Sequence, residues 1–202
     1  MSEEIDTYRT LIRPSPEVLY KEKKSKFYGY AFPIQSEDEV KTKLDELRKK
    51  HHSVNHVCYA WQLGVEKIRY RANDDGEPNN SAGMRIYGQI QSFQVTNVLV
   101  AVARIFGGTK LGVGGLISAY RTAAQMALEA SRIVEKNLEV RLRITFAYPE
   151  MEKVMRIIKQ HNIQITSQEM ATNCELLVRV QKSELEKVSA RFLSIPRVEL
   201  SF

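Results

Sequence analysis

Between Glu77 and Glu129 the chain carries no aspartate or glutamate. Arg85, Arg104, Lys110 and Arg121 all fall inside that interval, so a ligand there would meet positive charge that no local acid offsets. Cysteine is scarce too. Cys58 and Cys174 are the only two, lie far apart and match no paired-ligand spacing, which fits a reducing compartment. No stretch reaches the roughly 18 consecutive apolar residues of a membrane span. The first residues, MSEEIDTYRT, hold acids where a secretory leader needs a basic and then an apolar run, so the expected location is the cytoplasm. A G-x-S-x-G elbow, a catalytic-cysteine signature, an internal repeat and a low-complexity tract are all missing.

What is present is ordinary in amount and uneven in placement. The 202 residues are 43% hydrophobic and 27% charged, enough for one large or two small soluble domains with buried cores. The net charge of +6 favours nucleic acid or acidic partners only mildly.

The C-terminal third predicts its own fold. Leu138, Val140, Leu142, Ile144 and Phe146 alternate with polar residues as in a half-buried strand. Pro149 opens a helix with Met151, Val154, Met155 and Ile158 inward. A strand around Ile163 to Ile165, a Thr172-Asn173 turn and a strand through Leu176, Val178 and Val180 follow. Ser183 and Glu186 form a capping box for a helix with Leu185, Val188 and Phe192 inward. Pro196 stops it, and Val198, Leu200 and Phe202 alternate to the end. The order is β-α-β-β-α-β, a ferredoxin-like arrangement over 137–202.

Residues 1–136 read as a different α+β unit. Lys26–Ile34 is a strand, and Ser36 with Glu39 caps a helix whose stripe is Val40, Leu44 and Leu47. His56–Leu63 is a strand that Lys67–Arg71 can pair with through a turn at Gly64. Asn73–Gly83 is a loop by composition. Thr96–Phe106 is an apolar run, the mark of a strand buried on both faces. Beyond it Leu116, Tyr120, Ala123 and Ala127 line one side of a long helix that fades near Lys136-Asn137. The aromatics of KFYGYAF with Tyr59 and Trp61 are either core or base-stacking surfaces.

The strand and long helix are joined by FGGTKLGVGG, with five glycines at 107, 108, 112, 114 and 115. Free N–H groups and the positive end of a helix dipole make such a junction an anion site, and Thr109 and Lys110 add a hydroxyl and a charge. The spacing is neither a Walker loop, since Lys110 precedes Gly112, nor a dinucleotide fingerprint, since Ile117 stands where glycine is needed. Tight turns and close helix packing remain the competing explanation. The other dense stretch, DDGEPNNSAG, offers acids for a cation or a positioned water, although its spacing is not that of an EF-hand and an exposed, well-folded polar loop is the favoured reading. His51, His52, His56 and Cys58 lack four converging ligands, so no structural zinc is expected.

FGGTKLGVGGLISAY, DDGEPNNSAG and the segment His56, Cys58 and Ala60 resemble the IMPACT/YigZ family, over roughly 24–131. The resemblance implies a first domain like the βαβ fold shared by a small-subunit ribosomal protein, the GHMP kinases and domain IV of elongation factor G. The C-terminal third is similar to the small domain that bacterial members append. Eukaryotic members carry an extra N-terminal RWD domain and restrain a starvation-activated kinase; no such domain precedes this core, so that activity is not expected. The family's acidic loop usually reads G-E-P-x-G-T-A-G, and here Asn80 and Ser81 replace glycine and threonine. Asparagine tolerates a left-handed backbone and can keep the turn.

The resemblance implies a translation-associated protein that binds nucleic acid, RNA or the ribosome, without membrane attachment or cofactor. Phosphates would meet Arg104, Gly107, Gly108, Thr109, Lys110, Gly112, Gly114, Gly115 and Arg121. Two alternatives stand beside it. One is an enzyme on a small phosphorylated substrate, with His56, Asp75 and Glu77 as candidate catalytic groups. The other is a regulatory module that binds a protein partner.

Overall fold

The computed structural model describes residues 6–171 and 173–202. In chain order the elements are β1 (Thr7–Leu11), β2 (Val18–Glu22), β3 (Ser25–Pro33), α1 (Glu37–Lys50), β4 (His56–Leu63), β5 (Arg69–Asn73) and α2 (Gly83–Ser92). Then come β6 (Val98–Ile105), α3 (Gly112–Glu129), β7 (Ile133–Asn137), β8 (Glu139–Ala147), α4 (Met151–Gln160), β9 (Gln164–Glu169), β10 (Asn173–Gln181), α5 (Leu185–Leu193) and β11 (Val198–Ser201). They divide into two compact units, Tyr8–Lys136 and Asn137–Phe202, the second joined by Asp6 and Thr7. Among the described residues no helix is long and apolar enough to cross a membrane.

The first unit is built around β6. Its unbroken apolar run places Val98, Val100 and Val102 in one core layer and Leu99, Ala101 and Ala103 in another. The first layer is completed by Ile86 and Ile90 of α2 and by Leu116, Tyr120 and Ala123 of α3. The second is completed by Val40, Leu44 and Leu47 of α1. A strand covered on both faces needs apolar residues at every position, which is why β6 shows no alternation. The sheet order is β2-β3-β6-β4-β5, with every neighbour antiparallel. Trp61 and Tyr59 lie in or against the α1 layer, so they belong to the core rather than to a stacking surface.

Several local expectations give way to physical causes visible here. Helix α2 was not expected, because Gly83 and Gly88 dilute its helical pattern to Ile86, Tyr87 and Ile90. Its first N–H groups are satisfied from eight and nine residues upstream: Asp74 Oδ1 accepts from Ala82 N–H at 2.9 Å and from Gly83 N–H at 2.8 Å. The long helix ends at Glu129 rather than near Lys136-Asn137. Ser131 closes that end by donating to the Ala127 and Leu128 carbonyls, and the chain continues as β7, which pairs with β1. Strands β1 and β2 precede the first element expected at Lys26.

The second unit is a four-stranded antiparallel sheet in the order β11-β8-β10-β9. Leu142, Ile144, Phe146, Leu176 and Val178 share one core with Val154 and Ile158 of α4 and with Val188 and Phe192 of α5. The Ser183–Glu186 capping box does not form. Ser183 sits inside a short 3-10 turn ahead of α5, and its N–H donates to Asp6 Oδ1 at 3.0 Å. At α1 the expected box does not form either: Ser36 makes no side-chain cap bond, and Glu39 Oε1 accepts from the N–H of Gln35, one residue before the cap. Met155 and Phe202 are exposed, and Ile157 takes the place expected of Met155 against the core. Thr172 of the expected turn lies outside the described residues.

Candidate functional site

The end of β6 and the start of α3 frame a cavity of about 440 Å³. Its walls include His56, Glu77, Arg104, Phe106, Lys110 and Gly112. Asn55 holds the rim by accepting the Phe106 N–H on Oδ1 at 2.9 Å and donating its own N–H to the Arg104 carbonyl at 2.9 Å.

The glycines of the connecting loop have separate reasons. A Cβ on Gly107 would lie 2.0 Å from the Lys24 carbonyl carbon, so that position serves close backbone packing. Gly108 and Gly112 have φ of +84° and +72°, where side chains with a Cβ are strained. Gly112 is also the first residue of α3, and Leu111, which has no polar side chain, stands at the N-cap position. Among the described residues, the early N–H groups of this 18-residue helix therefore have no side-chain cap at the N-cap position, next to Lys110 and the cavity. Around Gly114 there is open space.

Arg104 is not a free surface cation. It is 5% exposed, and Glu77 is 8% exposed. Arg104 Nη1 donates to Glu77 Oε1 at 2.5 Å, and the Tyr120 hydroxyl donates to the same oxygen at 2.8 Å. The guanidinium carbon lies 5.5 Å from the ring centres of both Phe27 and Phe106. Its Nε is buried without a hydrogen-bond partner among the described residues. Burial, ahead of the neighbouring Cys58 and Glu77, pushes the Tyr120 hydroxyl well above its ordinary range, so it remains a donor. Burial likewise pushes the Cys58 thiol up, which keeps it protonated at neutral pH.

The acidic loop is organised by its own carboxylates. Asp74 Oδ2 accepts the Asn80 N–H at 2.8 Å while Oδ1 holds the start of α2. Asn80 has φ of +60°, the left-handed conformation that asparagine can take in place of glycine. Asp75 receives both contacts from Arg48 Nη2 at 3.0 Å and the Val57 N–H at 2.6 Å. Its carbonyl accepts from His56 Nδ1 at 2.7 Å, which requires a proton on Nδ1. Ala82, Ser81 and their neighbours are thus fixed by hydrogen bonds that composition alone did not disclose.

Of the residues singled out from the sequence, His56, Glu77, Arg104, Lys110 and Gly112 meet at the one cavity. Asp75 lines a different depression beside α1, with Arg48 and Tyr59. Thr109 and Arg121 are exposed and are not among the cavity walls. Sequence reasoning missed Phe106, Leu111, Val113 and Leu116, which make most of the apolar wall. Their position within the basic glycine loop, or directly after it for Leu116, was the available signal. Among the described residues no group of three or more His, Cys, Asp or Glu is placed to hold a metal ion.

Comparison with known proteins agrees with this architecture. A solved structure, a crystal structure of an hypothetical protein, is 22% identical with a TM-score of 0.72 and covers 97% of both chains, which speaks to the fold. An IMPACT family member of Haemophilus influenzae is 26% identical over 184 residues, 88% of each chain. The IMPACT family member in the pol 5′ region of Thermus thermophilus is 34% identical over 146 residues, 70% of this chain and 75% of that one. The Impact N-terminal domain family matches residues 23–128, a span that contains β3 through nearly all of α3 and every wall of the cavity. The chain belongs to the IMPACT family.

Proposed function

We propose that this protein binds RNA, free or in the ribosome, in the cytoplasm and in a translation-associated role, and that phosphates are held where β6 meets α3. The observation that carries the reading is the shared opening of Lys110 and the start of α3 onto one cavity, where the acid in the wall, Glu77, is already bound by Arg104 and Tyr120. Helix N–H groups and a lysine together are a sequence-independent phosphate grip. Gly112 through Gly115 bring the backbone to the ligand, and Thr109 and Arg121 extend the exposed polar surface on the loop and helix. Arg104, neutralised by Glu77, acts from within the wall by backing the Phe106 ring.

The enzyme alternative is less well served. Its carboxylates are engaged elsewhere, Asp75 with Arg48 and the Val57 N–H and Glu77 with Arg104 and Tyr120, which leaves His56 without an acidic partner in the cavity. A domain of the IMPACT type over 1–136, like domain IV of elongation factor G, followed by a ferredoxin-like domain over 137–202, belongs to the same proposal. The antiparallel order β11-β8-β10-β9 with α4 and α5 on one core supports the second assignment.

The test is RNA binding measured across salt concentrations for wild type and Lys110→Ala. Loss of one phosphate contact should weaken binding to all sequences and flatten the logarithmic salt slope by about 0.7 for a single strand. An unchanged slope, or no binding to RNA or ribosomes at any salt, overturns the proposal. Recovery of a protein partner that survives RNase treatment, without RNA binding, would favour the regulatory module.

A further inference from the structure

Phosphate contacts leave the apolar half of the cavity unexplained. Phe106 is 45% exposed and Val113 53% exposed, and Leu111 and Leu116 continue the same wall. We infer that the cavity takes one unstacked nucleotide of an RNA strand, its base against Phe106 and its phosphate at Lys110 and the start of α3. This rests on the RNA-binding reading above and adds the form of RNA that the site accepts.

Three features favour that occupant. The first is Phe106 itself, whose ring is held by the Arg104 guanidinium 5.5 Å from its centre while nearly half of the residue stays open. A ring fixed in this way is a platform for a base, since every base offers a π-face. The second is charge: the apolar wall adjoins Lys110 and the uncapped helix start, so an apolar plate and an anion grip share one cavity. The third is polarity within the wall. Arg104 Nε is buried without a partner among the described residues, and His56 Nδ1 donates to the Asp75 carbonyl. In the neutral ring His56 Nε2 can accept from a base edge or sugar, whereas Arg104 Nε has no accessible surface and stays within the wall. A volume of about 440 Å³ lies in the range of small-molecule pockets.

The inference separates single strands from duplexes. A paired base is stacked within the helix and must be extruded before it can enter a cavity, whereas a single strand offers bases already splayed. The experiment compares the full chain, by fluorescence anisotropy at fixed salt, on a labelled single-stranded RNA and on the blunt duplex of the same strand. Wild type should prefer the single strand. Phe106→Ala should weaken single-strand binding by roughly tenfold and duplex binding much less, while Phe106→Tyr restores the single-strand affinity. Phe106 is exposed, so the loss would not be a loss of fold; a circular dichroism melt checks this.

Equal affinity for single strand and duplex, or an equal effect of Phe106→Ala on both, overturns the inference while the Lys110-dependent salt slope still supports RNA binding. Absence of binding to either form overturns both readings. Competition by a free nucleoside monophosphate against the single strand, lost in Phe106→Ala, supports the inference directly.

Discussion

At the residue scale the site depends on a buried charge pair. Arg104 and Glu77 are both nearly inaccessible, and Tyr120 donates to the same carboxylate oxygen. Removing one member leaves the other charge in a poor solvent, which is more damaging than removing both. Glu77→Gln should therefore lower unfolding stability by about 3–5 kcal/mol. The double change Glu77→Leu with Arg104→Met should recover much of that loss, since Tyr120 is then the main polar group left. Urea denaturation reads both. A Glu77→Gln effect below about 1 kcal/mol would mean that the pair is solvated and that Phe106 is not held from behind.

The sequence pointed to Arg104 as a cation in an acid-free interval, and it missed that Glu77, at the edge of that interval, neutralises it through space. The distance in sequence between the partners hides such a pair. Lys110, by contrast, stands in a loop where no neighbour was available to claim it, so its placement at the cavity was legible.

At the scale of elements, legibility followed burial. The near-continuous apolar runs of β4 and β6 and the 3.6-residue stripes of α1 and α3 each match what their surroundings demand. The alternation of β8 and β10 was readable because one face packs on helices and the other is open. Helix α2 was not readable, because its cap comes from Asp74 rather than from a residue beside it. The end of α3 and strand β7 were lost for a related reason, since Ser131 and the pairing with β1 replace any local stop signal. Asp74→Ala tests this account of α2. It deletes the acceptor for Ala82, Gly83 and Asn80 N–H groups and should cost about 2 kcal/mol, the upper end for a lost cap. Amide exchange over Gly83–Ser92 should rise with it. Unchanged protection there would show that α2 is held by its apolar face alone.

At the scale of the whole molecule, each of the two units has its own apolar core. Every wall of the cavity lies within Tyr8–Lys136. The fragment Tyr8–Lys136 should therefore fold cooperatively and keep the RNA salt slope of the full chain, as thermal melts and anisotropy titrations would show. The second unit draws Asp6 into its own bonding, with Ser183 and Gln181, so a fragment starting at Asn137 should be less stable than one that also contains the Asp6 segment. Asp6 carries a carboxyl held below its ordinary value, mainly by Gln181, which is consistent with a contact made only in the folded chain.

The central claim is that an anionic RNA group sits against the start of α3. An amide-resolved NMR titration of the full chain with a short single-stranded RNA tests it most directly. The account predicts saturable shifts of the Lys110, Gly112, Val113, Gly114 and Gly115 amides, with the Phe106 ring resonances moving at the same midpoint. Shifts confined to other surfaces, with these amides unmoved at saturation, would contradict it.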